Sequence, residues 1–130
     1  MFIESLRAGG KERRLLELID YLRLNTNTKI LLVLMNNIVH YDYIYCWDIP
    51  IIVLKRKRIK KDPLVFIKFF KACLEFKPDI IHVWGNMPAF YAIPASLILK
   101  IPIVNSQISD SFELKKSSNF YYISHLINFH

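Results

Sequence analysis

Two adjacent glycines, Gly9 and Gly10, stand directly before a run with helical periodicity. A glycine lets backbone N–H groups come close to an anion, and a helix N-terminus adds a favourable dipole. The same pair also opens helices that bind nothing, so the turn reads either as a phosphate cradle or as an ordinary turn. A second group lies at residues 82–86, where His82, Trp84, Gly85 and Asn86 end a short apolar run. A histidine in a strand is most often structural, with one ring nitrogen held by a backbone group. Near the carboxyl end of a strand it can instead meet a hydroxyl or move a proton. Trp84 reads as packing or as a flat surface for a ligand, with packing favoured. Asn105, Ser106, Ser109 and Asp110 offer further hydroxyl-binding groups, or ordinary loop polarity. No P-loop, no Ser-His-Asp pattern and no paired Cys/His metal set is visible.

The elements that would position these residues follow from pattern. Residues 77–86 read as turn, buried strand and turn. Pro78 disfavours helix for Lys77, and the β-branched Ile80, Ile81 and Val83 favour a central strand covered on both faces. Gly85 breaks that strand, and a helix restarts with Asn86 as its cap and Pro88 in its first turn. Alternation along the strand puts Ile81 and Val83 on one side and His82 and Trp84 on the other.

Before this, residues 1–3 read as the end of a strand too short to be a whole central one. Residues 11–22 form an amphipathic helix with Leu15, Leu18, Ile19 and Leu22 on one face. Residues 29–35 are a second buried strand and residues 49–54 a third. Between them Tyr41, Tyr43 and Tyr45 alternate, as in an edge strand or a groove lining. Asp62 and Pro63 start a helix over residues 64–76 whose wide apolar face reads as core rather than membrane wedge. After the organising strand come a helix over residues 88–99, interrupted by Pro94, a strand over 101–106, a polar loop, and a last helical stretch over 119–129. Alternating strands and helices predict an α/β fold with a mostly parallel, doubly wound sheet and right-handed crossovers. Such a sheet brings residues 7–10, 84–86 and 106–110 to its carboxyl edge, where ligands bind in folds of this kind.

The totals agree with one folded domain. The chain has 130 residues, 53% of them apolar and 14% aromatic, which excludes disorder and leaves apolar surface to be covered by something else. The net charge is +7, much of it in Lys55, Arg56, Lys57, Arg58, Lys60 and Lys61. That run is either a solvated loop or a contact for a polyanion such as an anionic membrane surface. None of the usual nucleic-acid modules is present, so no nucleic-acid partner is expected. Cys46 and Cys73 are far apart without metal spacing and read as unpaired thiols in a reducing cytoplasm. No secretory signal or membrane-spanning helix is read from the pattern.

Three motifs together carry a resemblance. Residues 5–13, SLRAGGKER, resemble the turn near the start of retaining glycosyltransferases of the large GT-B family often called family 4. Residues 77–85, KPDIIHVWG, resemble that family's "PD-apolar-apolar-H" strand, and residues 100–106, KIPIVNS, its next strand. Their order and spacing match, and the resemblance covers nearly the whole chain. It implies a Rossmann-like acceptor-side domain in which Gly9 and Gly10 approach the donor's phosphates. His82, Trp84, Gly85, Asn86 and the loop with Asn105, Ser106, Ser109 and Asp110 would flank the acceptor. It also implies a cytoplasmic protein, peripheral at the inner face of the membrane, acting on a glycan or lipid-linked acceptor. Where the family commonly has a second histidine, this chain has Trp84.

The family's second domain, which holds the nucleotide-sugar, has no counterpart in this sequence. The expectation is therefore a domain shortened at both ends. It binds no cofactor alone and transfers sugar only with a donor-binding domain in the same longer chain or in trans. The competing expectation is a non-catalytic, membrane-associated binding or scaffold module that keeps the fold. A flavodoxin-like binding domain comes third.

Overall fold

A computed structural model describes residues 1–57 and 61–107. Its elements are β1 (Phe2–Ile3), α1 (Gly10–Asn25), β2 (Leu32–Leu34), a 3-10 turn over Asp42–Cys46, β3 (Ile51–Val53), α2 (Pro63–Phe76), β4 (Ile81–Trp84), α3 (Asn86–Leu99) and β5 (Ile103–Ser106). The five strands form one all-parallel sheet in the order β3-β2-β1-β4-β5. The chain winds outward from β1 to β3, then crosses back to β4 and β5. That reversal makes the fold Rossmann-like, with its switch point between β1 and β4.

Each face of the sheet carries its own core. Phe2, Val33, Ile81, Val83 and Ile103 point to α2 and α3, where Phe69, Cys73, Tyr91, Ala92 and Ala95 close the layer. Ile3, Leu32, Leu34 and Trp84 point the other way, onto Leu15, Leu16 and Ile19 of α1 and onto Ile44. The period-two alternation of each strand therefore feeds two layers, as strands buried on both faces require.

The expected doubly wound order holds, with corrections at particular elements. The two-residue β1 is central: Phe2 and Ile3 pair with both β2 and β4. The tyrosines alternate in sequence, but residues 42–46 form the 3-10 turn instead of an edge strand. Tyr43 there meets Tyr41 edge to face and Trp47 at a tilt, with ring centroids 6.0 and 5.3 Å away. The residue before α3 is Gly85, with no side-chain cap, so Asn86 opens the helix and does not cap it. Asp62 caps α2 as expected, accepting from Leu64 N–H at 3.0 Å. The loop from residue 108 on and the helical stretch at 119–129 lie outside the described residues.

Two lysines end helices in the left-handed conformation, Lys77 (φ 54°) after α2 and Lys100 (φ 55°) after α3. Both donate their N–H back into the helix, to Cys73 and Ser96 carbonyls. Ser96 Oγ then donates to Ile101 O at 2.6 Å and Ile101 N–H to Ser96 O at 3.0 Å, which turns the chain sharply into β5.

Candidate functional site at the carboxyl edge

The turn between β1 and α1 is held from outside. Leu6 forms a parallel bridge with Val39, its N–H donating to Ile38 O and its carbonyl accepting from His40 N–H, each 2.9 Å. Ala8 N–H donates to His40 Nδ1 at 3.1 Å, and Gly9 N–H to the Tyr41 hydroxyl at 3.3 Å. The turn thus stands on the loop after β2, and its exposed tip is Gly9-Gly10. Gly9 is the N-cap of α1 and has no side chain to cap it. The N–H groups of Gly10, Lys11 and Glu12 precede the first intrahelical donor, Arg13 N–H to Gly9 O, and point out of the helix end.

Neither glycine is required by the fold. Gly9 is extended (φ −167°), and a β-carbon on Gly10 would meet nothing within 4 Å. At Gly9 a β-carbon would come 2.5 Å from Glu12 Oε2, the movable end of a side chain folded back over the turn. Gly10 also walls a shallow open depression with Arg13, Arg14 and Glu17.

Gly85 is different, because its φ of +113° strains any other residue. It begins α3, whose first N–H groups are those of Asn86 and Met87, since Pro88 has none. Lys11 Nζ lies 3.4 Å from where a β-carbon of Gly85 would stand. The ammonium therefore bridges from the first turn of α1 to the start of α3. Asn86 Oδ1 accepts a hydrogen bond from Gln107 Nε2 just past β5. Two helix starts, a cation and the tips of β4 and β5 are joined in one region.

His82, Trp84 and Ser106 meet on the α1 side of β4 and β5. The His82 and Trp84 rings lie 4.9 Å apart at 32°, and His82 Nε2 is 2.8 Å from Ser106 Oγ. Burial pushes the His82 imidazole below its usual value, so it is neutral at physiological pH. Trp84 is buried at 5% exposure among Ile3, Leu6 and Ile44, and packing is the role this position gives it. Its buried indole N–H has no hydrogen-bond partner among the described residues, and neither has Asn105 Oδ1. Asn105 follows Ile103 onto the opposite face, because it pairs with Val83 in the ladder. The structure thus brings together Gly9, Gly10, Gly85 and Asn86 at the edge, and His82, Trp84 and Ser106 just below it. It separates Asn105 from both groups. Ser109 and Asp110 lie outside the described residues.

The basic run passes from β3 to α2. Lys55 is left-handed (φ 53°) and exposed. The Arg56 guanidinium lies 6.0 Å over the Tyr91 ring and the Lys61 ammonium 5.6 Å over the Phe90 ring. Lys57 N–H donates to Asp62 Oδ2 at 3.0 Å. Arg58 and Lys60 lie outside the described residues.

Two features escaped the sequence reading. Lys11 sits in the second position of α1, and only the fold shows that it reaches α3. An apolar cavity of about 230 Å³ opens at the opposite, amino edge, between Leu18 and Leu22 of α1 and Phe69 and Cys73 of α2, with His82 in its wall. It lies ahead of the short β1, between the incoming ends of β2 and β4. No pattern in the sequence signals a cavity of that kind. Among the described residues no group of three or more His, Cys, Asp or Glu is placed to hold a metal, and no helix is long and apolar enough to cross a membrane.

A scan against protein-family models and a search of curated proteins give no match for this sequence.

Proposed function

We propose that this chain is the acceptor-side domain of a retaining GT-B glycosyltransferase, joined by a donor-binding domain that supplies the nucleotide-sugar. One observation carries the reading: the Lys11 ammonium lies against Gly85, so that the uncapped starts of α1 and α3 share a cation at the switch-point edge of a Rossmann-like sheet. That arrangement suits a diphosphate, which needs several N–H donors and a positive charge. The N–H groups of Gly10, Lys11 and Glu12 meet the phosphates in this reading. Neutral His82 with Ser106, and Asn86 with Gln107, serve acceptor hydroxyls. Action at the cytoplasmic face of a membrane, on a glycan or lipid-linked acceptor, belongs to the same proposal.

A second reading has one observation in its favour. The Glu12 carboxylate folds over Gly9 and places a negative charge where a phosphate would approach. A non-catalytic module that kept the fold would show this filled cradle permanently. The two readings separate in a titration of pyrophosphate and of nucleoside diphosphates, followed by thermal unfolding. The transferase reading expects a rise in the unfolding temperature that grows in Glu12→Gln and disappears in Gly10→Asp. With a donor-binding partner added, Gly10→Asp should also abolish sugar transfer. No shift with any diphosphate, in the wild type or in Glu12→Gln, would sink the phosphate cradle and leave the binding module.

A further inference from the structure

The sequence of α2 carries too many apolar residues for one buried face, and the structure divides them. Val65, Phe69, Ala72 and Cys73 are buried against the sheet. Leu64, Ile67 and Leu74 point outward with exposures of 43%, 64% and 49%. With Lys71 they fall at positions 64, 67, 71 and 74, one stripe along the helix, about 15 Å long from the rise per residue. The stripe is bordered by cations. Lys61 stands over Phe90 before the first turn, Lys68 Nζ reaches Leu54 O at 2.9 Å, and Lys71 is 3.8 Å from the helix's one acidic residue, Glu75. Lys55 and Lys57 are exposed on the approach to α2.

The occupant of this face has to accept aliphatic side chains and a surplus of positive charge together. A second copy of the chain meets the first condition and fails the second. It would set Lys71 and the basic run against their own counterparts, on partners that each carry a formal charge of +7. An anionic bilayer meets both. Aliphatic side chains of a helix lying in the interface sink about 5–10 Å toward the acyl boundary, and lysines extend outward to the headgroups.

We propose that α2 is an in-plane membrane-docking helix: Leu64, Ile67 and Leu74 enter the headgroup–acyl boundary of an anionic bilayer while Lys57, Lys61 and Lys71 contact its lipid headgroups. The inference rests on the membrane-face part of the transferase reading, which it assigns to α2, and needs no sugar chemistry. It has one geometric consequence for that reading. The N-terminus of α2 lies at the carboxyl edge of the sheet, so docking brings the Gly9–Gly10 edge near the headgroups, where a lipid-linked acceptor would be.

The test is co-sedimentation with vesicles of phosphatidylcholine alone and of phosphatidylcholine mixed with phosphatidylglycerol. Binding is expected only to the mixed vesicles and should weaken as salt rises. Ile67→Ser and Leu74→Ser should each weaken it roughly ten-fold, the share expected for a half-exposed aliphatic side chain that becomes buried. Lys71→Gln should weaken it roughly five-fold and flatten the salt dependence. Because these residues are exposed, circular dichroism and unfolding temperature should stay at wild-type values, which separates lost docking from lost folding. Unchanged vesicle binding in the double variant Ile67→Ser/Leu74→Ser would overturn the proposal and leave adsorption by the basic run alone. So would sedimentation as a dimer without lipid that Ile67→Ser abolishes, since the stripe would then belong to a second copy. An acidic protein displacing the chain from vesicles without need of Ile67 would likewise overturn it. Pyrophosphate binding measured on the same variants stays independent, so failure here does not count against the phosphate cradle.

Discussion

Replacing Gly10 by alanine separates what the fold needs from what a ligand needs. Gly10 is the first residue of α1, is exposed, and has open space where a methyl group would go. Its conformation is helical, which alanine adopts more readily. The gain for Gly→Ala within a helix is about 0.8–1 kcal/mol, and part of it comes from lowering the entropy of the unfolded chain. At a first-turn position about half of that, roughly 0.5 kcal/mol, is a fair expectation. For a domain of this size that corresponds to an unfolding temperature about 2–3 °C higher. The same methyl group is expected to harm anion binding. A Cα–Cβ bond leans toward the helix N-terminus, so the new methyl enters the space above the N–H groups of Gly10, Lys11 and Glu12. Displacing a phosphate by about an ångström costs most of a charge-assisted hydrogen bond, about 1.5 kcal/mol, or roughly ten-fold in affinity. The variant should therefore be more stable and bind pyrophosphate more weakly. Differential scanning fluorimetry with and without pyrophosphate reads both effects in one experiment. A variant that is more stable and binds pyrophosphate as well as the wild type would show that the glycine serves no ligand.

Three further outcomes follow from other parts of the molecule. Cys73 is buried, and burial pushes its thiol up to about 11, whereas Cys46 is exposed; iodoacetamide should label Cys46 in the folded protein and reach Cys73 only on unfolding, and equal labelling of both would contradict the packing of α2. His82 has a folded value below its unfolded value near 6.5, so the unfolded chain binds more protons and stability is lost as pH falls below about 6.5. His82→Gln should remove that part of the acid limb, whereas unfolding temperatures that run parallel for both proteins between pH 7 and 5 would show that His82 is not coupled to folding. Lys100 ends α3 at φ 55°, and Lys100→Gly should stabilise the chain by about 0.5–1 kcal/mol, read as a higher urea midpoint with an unchanged slope.

The parallel sheet was legible because β-branched strand residues such as Ile81 and Val83 and amphipathic periods such as residues 11–22 speak for themselves. The order of strands and helices then restricts the topology to few choices. Strand length was less legible. Residues 30–35 are all apolar, yet the ladder needs only Leu32–Leu34, since pairing depends on neighbours that periodicity does not describe. The tyrosines at 41, 43 and 45 alternate for a reason other than strand pairing. A 3-10 turn sets Tyr43 edge-on to Tyr41 and tilted against Trp47. Trp84 shows why residue type alone leaves a role open. Its type suits either packing or ligand contact, and only burial among Ile3, Leu6 and Ile44 decides for packing. Lys11 was invisible as a site residue because its partner, Gly85, is seventy-four positions away. In α2, periodicity shows that a helix is apolar around most of its circumference, but not which part the sheet leaves uncovered.

Asp62 joins these regions, and its substitution tests whether they act as one. The residue is buried, yet its carboxylate accepts from Lys57 N–H and Leu64 N–H, each at 3.0 Å, while its own N–H donates to the Tyr91 hydroxyl at 3.0 Å. It thus ties the basic run to the start of α2 and both to α3. The Lys57 N–H, aided by that of Leu64, holds the carboxyl below its ordinary value near 3.8. A depressed carboxylate stabilises the fold above its unfolded value, and that contribution is lost as pH falls through the folded value. Asn at this position keeps the shape but offers one acceptor where two donors arrive. Asp62→Asn should therefore lower stability at neutral pH and flatten the acid limb below about pH 4, where the wild type loses the same bonds by protonation. It should also expose the run at Lys55 and Lys57 to trypsin, because Lys57 would no longer be tied down. An acid limb and a cleavage rate equal to those of the wild type would show that the run is held by other contacts. The lysine orientation proposed for membrane docking would then have to come from α2 itself.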